Sequence, residues 1–270
     1  PKEIVDECVK RNGVAPLWES SQTPGVIFDP EIFEHVVIQK LQKENVDILL
    51  HCLITDVLKD GNNISGVIIE SKWGRHAVLG KVVIDYTGDA NIAQMSGAPV
   101  RFSEKDNANS GSMLFRMGNV DIDAFVKYVV ENDEYDSYTD FPLTPQEFYD
   151  NWKNKGFMFF PHSGGQSCKL IQKAIKEGKY SKTFGMGKRL DAFGMYALKG
   201  RPVTINSNFY DITEEVLNVE DFSKIEIDAK KACRFAADFL VNCVPGFENS
   251  YMISSGHTLG PRRSRMIDQG

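Results

Sequence analysis

Arg262, Arg263 and Arg265 fall within four residues, Arg262-Arg263-Ser264-Arg265, a few positions after Gly260. Guanidinium groups at that spacing can clamp a carboxylate or phosphate through paired N–H donors. The other reading is a solvated surface run. His257, in Ser254-Ser255-Gly256-His257-Thr258-Leu259-Gly260, is the only histidine near the cluster, which makes it the candidate proton-transfer group. His35, His51, His76 and His162 read as structural. A third segment, Asp85-Tyr86-Thr87-Gly88-Asp89, follows an apolar run and precedes a helical pattern. Thr-Gly there lets the backbone turn sharply with no side chain in a ligand's way. Asp89 either caps the following helix or binds a hydroxyl group.

The elements that position these residues are legible from periodicity and caps. Residues 2–12 predict a short helix stopped by Gly13. Asp29-Pro30 predicts a second, with Asp29 as cap and Pro30 in the first turn. Strands are expected at 46–50, 53–58, 64–70, 76–79 and 81–86, with turns at Asp60-Gly61-Asn62-Asn63 and Trp73-Gly74. Val82-Val83-Ile84 is expected to be a buried strand, and Ala90 to Ser96 a helix stopped by Gly97. Residues 101–112, rich in Asn, Ser and Gly, make the best internal boundary. Beyond them the pattern predicts a strand at 113–117, a helix capped by Asp121, and a helix opened by the capping box Thr144-Pro145-Gln146-Glu147 and stopped by Gly156. Further helices are expected at 166–177 and 223–243, with a strand at 201–206.

Composition narrows the function classes. The 270 residues carry 31 Lys plus Arg and 37 Asp plus Glu, a net charge of −6 that argues against a general nucleic-acid binder. No apolar run reaches the roughly 18 residues of a membrane span. Cys8, Cys52, Cys168, Cys233 and Cys243 are dispersed and odd in number, which reads as reduced thiols in a cytoplasmic protein. No C-x-x-C or H-x-x-x-H occurs, so no zinc site is expected. Gly185-Met186-Gly187-Lys188 completes neither the dinucleotide nor the phosphate-loop pattern and reads as a loop. No G-x-S-x-G elbow is present, which weakens a hydrolase reading.

In order along the chain, Phe28-Asp29-Pro30-Glu31, Val46 to His51, Gly66-Val67-Ile68, Lys81 to Ala90, Met113 to Gly118, Val244 to Glu248 and Leu259 to Ile267 resemble the FAD-dependent oxidoreductase family of the glutathione-reductase-like flavoprotein superfamily. The resemblance implies a mixed α/β (α+β) chain. Residues 1–100 would be a partial FAD-binding Rossmann-like domain with a small antiparallel β-meander. Residues 113–256 would be a substrate-side α+β domain, and 257–270 a segment returning toward the flavin. It implies FAD as cofactor, held in part by Thr87, Gly88 and Asp89. The chemistry implied is hydride transfer between the flavin and a small polar or anionic substrate, with Arg262 or Arg265 as its anchor and His257 nearby. The family's Gly-rich opening segment does not occur in these 270 residues, so the sequence is expected to be an internal piece. Tyr86 stands where the family has Ala, and Arg263 where it has an acidic residue. A competing expectation is a non-catalytic ligand-binding or assembly module on the same fold.

Overall fold

The computed structural model describes residues 2–15, 26–102, 111–132, 144–160, 169–180, 183–184, 188–189, 194–206, 208–210, 218–260 and 265–268. In chain order the elements are α1 (Lys2–Lys10), α2 (Pro30–Lys43), β1 (Cys52–Asp60), β2 (Asn63–Ser71), β3 (Gly74–Leu79), α3 (Asn91–Ser96), β4 (Val100–Phe102), β5 (Gly111–Ser112), β6 (Phe115–Gly118) and α4 (Ile122–Glu131). They continue with α5 (Pro145–Lys155), β7 (Phe157–Phe160), α6 (Lys169–Lys176), β8 (Thr183–Phe184), β9 (Lys188–Arg189), β10 (Gly194–Leu198), β11 (Val203–Asn206), β12 (Asn208–Tyr210), α7 (Val219–Cys243), β13 (Tyr251–Ser255) and β14 (Arg265–Ile267). The fold is mixed α/β, and every strand pairing described is antiparallel. Among the described residues no helix is long and apolar enough to cross a membrane.

The chain divides into two compact units. One comprises residues 1–40, 110–211 and 215–260, and the other 41–109, 212–214 and 261–270. Residues 1–40 pack within the first unit. The reason is apolar cover: Ala15 and Ile27 bury themselves against Phe157, Phe159 and Leu198. A bridge between Val14 and Phe28 closes this covering segment. Buried Asp29 anchors its end. One carboxylate oxygen accepts the Glu31 and Ile32 amides at 2.9 and 3.3 Å, and the other lies 3.2 Å from Arg201 Nε. The Asp29-Pro30 cap therefore starts α2 as predicted.

The first unit is built on the five-stranded sheet β13-β6-β11-β10-β7. Alternation along its strands gives it two unlike faces. Phe115, Met117, Val203, Ile205, Met195, Ala197, Met158 and Phe160 are all buried. On that side Phe125 of α4 meets Phe160 and Phe247 edge-on at 5.5 and 5.6 Å, and Phe148 of α5 meets Phe160 at 6.2 Å. The opposite face carries a cross-strand row, Phe159–Tyr196–Thr204–Arg116–Ser254, fixed by register. Its four polar members are half-buried or exposed.

Caps set the helix ends. Asp121 accepts the Ala124 amide at 2.9 Å. Thr144 and Glu147 form the reciprocal capping box, and Gly156 ends α5 in the left-handed conformation. The long α7 begins earlier than its apolar stripe suggests because Asn218 caps Asp221 N at 2.7 Å. In the second unit β1, β2 and β3 form the expected meander. The expected strands at 46–50 and 81–86 do not form. Among the described residues neither finds a ladder partner, and Leu49, Leu50, Val82, Ile84 and Tyr86 are exposed rather than buried.

Gly246, which follows α7, is held at φ +88°, and a Cβ there would lie 2.4 Å from Asp121 O and 2.9 Å from Phe125 N. Gly246→Ala is therefore expected to cost about 2–4 kcal/mol, through both left-handed strain and the backbone clash. Thermal and urea unfolding would measure it. An unchanged melting temperature would show that the α4 start can shift.

Candidate functional site

The second unit places Thr87, Gly88 and Asp89 in a corner between the extended segment 81–86 and α3. Asp85 organises this corner. Its Oδ1 accepts the Thr87 amide at 3.0 Å and the Thr87 hydroxyl at 2.7 Å, and its Oδ2 accepts the Ala93 amide at 3.1 Å. Thr87 Oγ1 in turn accepts the Asn91 amide at 3.0 Å. The free N–H groups at the start of α3 are thus satisfied by side chains four to eight residues upstream. Asp89 is not the cap: the N-cap residue is Ala90, with no side-chain cap bond. Burial alone would raise the Asp85 carboxyl. Hydrogen bonds from Thr87, Ala93 and Ile92 outweigh it and hold the group below the ordinary Asp range.

The corner bends sharply. Gly88 has φ +83° and Ala90 φ +52°. A left-handed alanine costs roughly 1–2 kcal/mol, so neighbouring bonds must hold it. A built Cβ at Gly88 meets nothing within 4 Å, which leaves open space on that side of the turn. Thr87 and Gly88 are exposed and Asp89 is half-buried. Among the described residues the Asp89 carboxylate has no hydrogen-bond partner.

Arg265 closes the corner from the far end of the chain. β14 pairs with β4, placing Arg265 opposite Phe102, and the Asp268 amide donates to Pro99 O at 3.0 Å. Arg265 Nε donates to Asp89 O at 3.1 Å, and its two terminal nitrogens donate to the Asn91 and Gln94 side-chain oxygens. The guanidinium therefore grips both sides of strained Ala90. That leaves little of its donor fork for the substrate group that the sequence assigned to it. Lys59 Nζ donates to Ser96 O at the other end of α3.

Of the remaining expected residues, Arg262 lies outside the described residues, as do Arg263, His162, Cys168 and most of the 185–188 loop. His257 belongs to the first unit, exposed on the turn after β13. That turn is held by Lys230 Nζ donating to Gly256 O at 2.9 Å and by the Leu259 amide donating to Glu226 Oε2 at 3.3 Å. Asp85 was missed as a functional residue by sequence reasoning. The signal was present as Asp-x-Thr just before a helix with no good cap of its own.

A family model described as FAD dependent oxidoreductase matches residues 1–268. No curated protein matches the chain. Among solved structures, the myxobacterial chondrochloren halogenase CndH is similar at 11% identity and TM-score 0.44, over 98% of this chain and 51% of that one. A triple mutant of the flavin-dependent brominase Bmp2 is similar at 12% identity and TM-score 0.43, over 99% and 55%. A geranylgeranyl bacteriochlorophyll reductase-like protein from Thermoplasma acidophilum is similar at 12% and TM-score 0.40, over 94% and 49%. The chain spans about half the length of these structures.

The depressed Asp85 carboxyl gives a pH signature. Its stabilisation is fully present above the unfolded Asp value of about 3.9 and is lost as pH falls through the lower folded value. Asp85→Asn is expected to cost about 1–2 kcal/mol at neutral pH. Amide exchange at Ile92 and Ala93 should speed up, and the difference from the unaltered protein should shrink in acid. A pH-independent difference would mean that the charge plays no part.

Proposed function

The chain belongs to the FAD-dependent oxidoreductase family, and on that premise we propose that it forms part of a flavoenzyme moving a hydride between a small polar or anionic substrate and FAD. The observation that carries this reading is the family match over residues 1–268. FAD is the family's cofactor, and when bound it supplies the hydride acceptor at flavin N5.

The residues of the 85–94 corner suit one part of FAD and not another. The Asp89 carboxylate beside an exposed turn is an acceptor for hydroxyl groups, as a ribose or ribityl chain presents. The open side of Gly88 allows a ligand to approach backbone. The corner does not suit the pyrophosphate: the α3 amides are already bonded to Asp85 and Thr87, and two carboxylates stand nearby. In this reading Thr87, Gly88 and Asp89 orient the cofactor's hydroxyl-bearing portion. Arg265 and Asp85 hold those three in place. His257 is the proton-transfer group.

The test is the visible absorption spectrum of the protein purified with its native flanking sequence. Flavin bands are expected, along with bleaching by an oxidisable substrate. A colourless protein that also refuses added FAD would favour the ligand-binding module instead. Residues 1–270 alone are expected to bind FAD weakly, because nothing in the corner holds the pyrophosphate. In the flanked protein Asp89→Ala should weaken FAD binding by about 10- to 100-fold, the worth of a charge-assisted hydrogen bond. Fluorescence quenching of the flavin on binding would report it, and unchanged affinity would remove Asp89 from the site.

A further inference from the structure

We infer that the face of the five-stranded sheet turned away from α4 and α5 binds a small, singly charged carboxylate with an apolar body, and that Arg116 is its anchor. This names the substrate class of the proposed redox reaction and rests on that reading only for calling the ligand a substrate.

Arg116 sits in β6, with β13 on one side and β11 on the other. Its side chain is 22% exposed. Among the described residues its Nε is buried with no hydrogen-bond partner. Among the described residues its one ion pair is a 3.5 Å contact between Nη1 and Glu31, whose side chain is 76% exposed. A pair so open to water contributes little. A half-buried guanidinium with an unmet N–H is costly unless something accepts from it. Asn206 Oδ1 is another buried polar atom without a partner among the described residues. It lies two residues from Thr204 on β11, so it falls on the same face of the sheet. Two unmet polar atoms on one face of one sheet point to a ligand that supplies both an acceptor and a donor.

The walls define the rest of the ligand. On the β13 side, Tyr251 and Ile253 lie over Gly118, which is on the Arg116 face. A Cβ on Gly118 would come within 2.9 Å of Ile253 and 3.2 Å of Tyr251. On the other side stand Thr204 and then Tyr196, whose ring is 5.1 Å from that of Phe159. An arginine floor between aromatic and aliphatic walls accommodates a planar or branched apolar body bearing one carboxylate. The Glu31 carboxylate beside Arg116 disfavours a doubly charged phosphate. The hydroxyls of Thr204 and Ser254, both in register with Arg116, can donate to the same anion.

The experiment is isothermal titration of the protein purified with its native flanking sequence, using benzoate as probe and benzamide as the uncharged comparator. Benzoate is expected to bind about tenfold or more tightly than benzamide, one charge-assisted bond's worth. Arg116→Gln should bring benzoate down to the benzamide level, and Arg116→Lys should recover part of the difference. Equal binding of the two probes, no benzoate binding, or full affinity in Arg116→Gln would each overturn the site. If Arg116→Gln does not fold, Thr204→Val decides: weakened benzoate binding supports the site and unchanged binding overturns it. Flavin content is read on the same samples. Colourless protein that still prefers benzoate would keep this site while refuting the redox reading. Flavin-bearing protein without that preference would do the reverse.

Discussion

Four donors converge on the carboxylate of Asp85, and the conformation of the candidate cofactor corner depends on that convergence. The Thr87 amide and hydroxyl and the amides of Ile92 and Ala93 all point at it. The turn can then pass through two left-handed residues, Gly88 and Ala90, and still begin a helix. Without the carboxylate the first turn of α3 would leave its amides to water. A six-residue helix has too few internal bonds to hold itself together in that case. Arg265 completes the arrangement by bonding Asp89 O, 176 residues away along the chain. The same guanidinium, which the sequence offered as a ligand clamp, also bonds the Asn91 and Gln94 side chains of this loop.

The first unit is governed by a different constraint. A five-stranded antiparallel sheet has two faces, and only one is filled by phenylalanines from its helices and loops. The other is covered at its β7 end by Ala15 and Ile27 and left partly open around Arg116. A sheet covered unevenly in this way offers a shallow polar floor on a rigid frame, which is what a small-molecule site requires.

What was legible in the sequence follows from how local the signal is. Asp29, Asp121, Thr144 with Glu147, Gly97 and Gly156 marked helix ends correctly, because a cap is written within four residues. The meander was legible from alternation and from Asp60-Gly61. Three of the five strands of the main sheet were not expected. Phe157-Met158-Phe159-Phe160 has no alternation because both of its faces are buried. Gly194–Leu198 is short, and Tyr251–Ser255 is an edge strand with a bulge at Ile253. Conversely, 46–50 and 81–86 read as strands because propensity cannot tell whether a ladder partner exists. The Thr87–Asp89 corner was found by pattern. Its dependence on Asp85 and Arg265 was not, since one is an upstream cap and the other a contact across 176 residues. The Arg116 row was hidden altogether, because only strand register brings positions 116, 196, 204 and 254 side by side.

The extended run from Lys81 to Tyr86 bears on how this polypeptide behaves in solution. Val82, Ile84 and Tyr86 are 78%, 79% and 96% exposed, and among the described residues nothing satisfies the backbone beside them. A β-prone apolar segment with unmet amides and carbonyls is adhesive, because any other extended backbone can complete its ladder. A second copy of the same segment is always the nearest such backbone at high concentration. The 270 residues on their own therefore carry a built-in tendency to self-associate and precipitate. Covering this one edge would take that adhesive backbone out of reach.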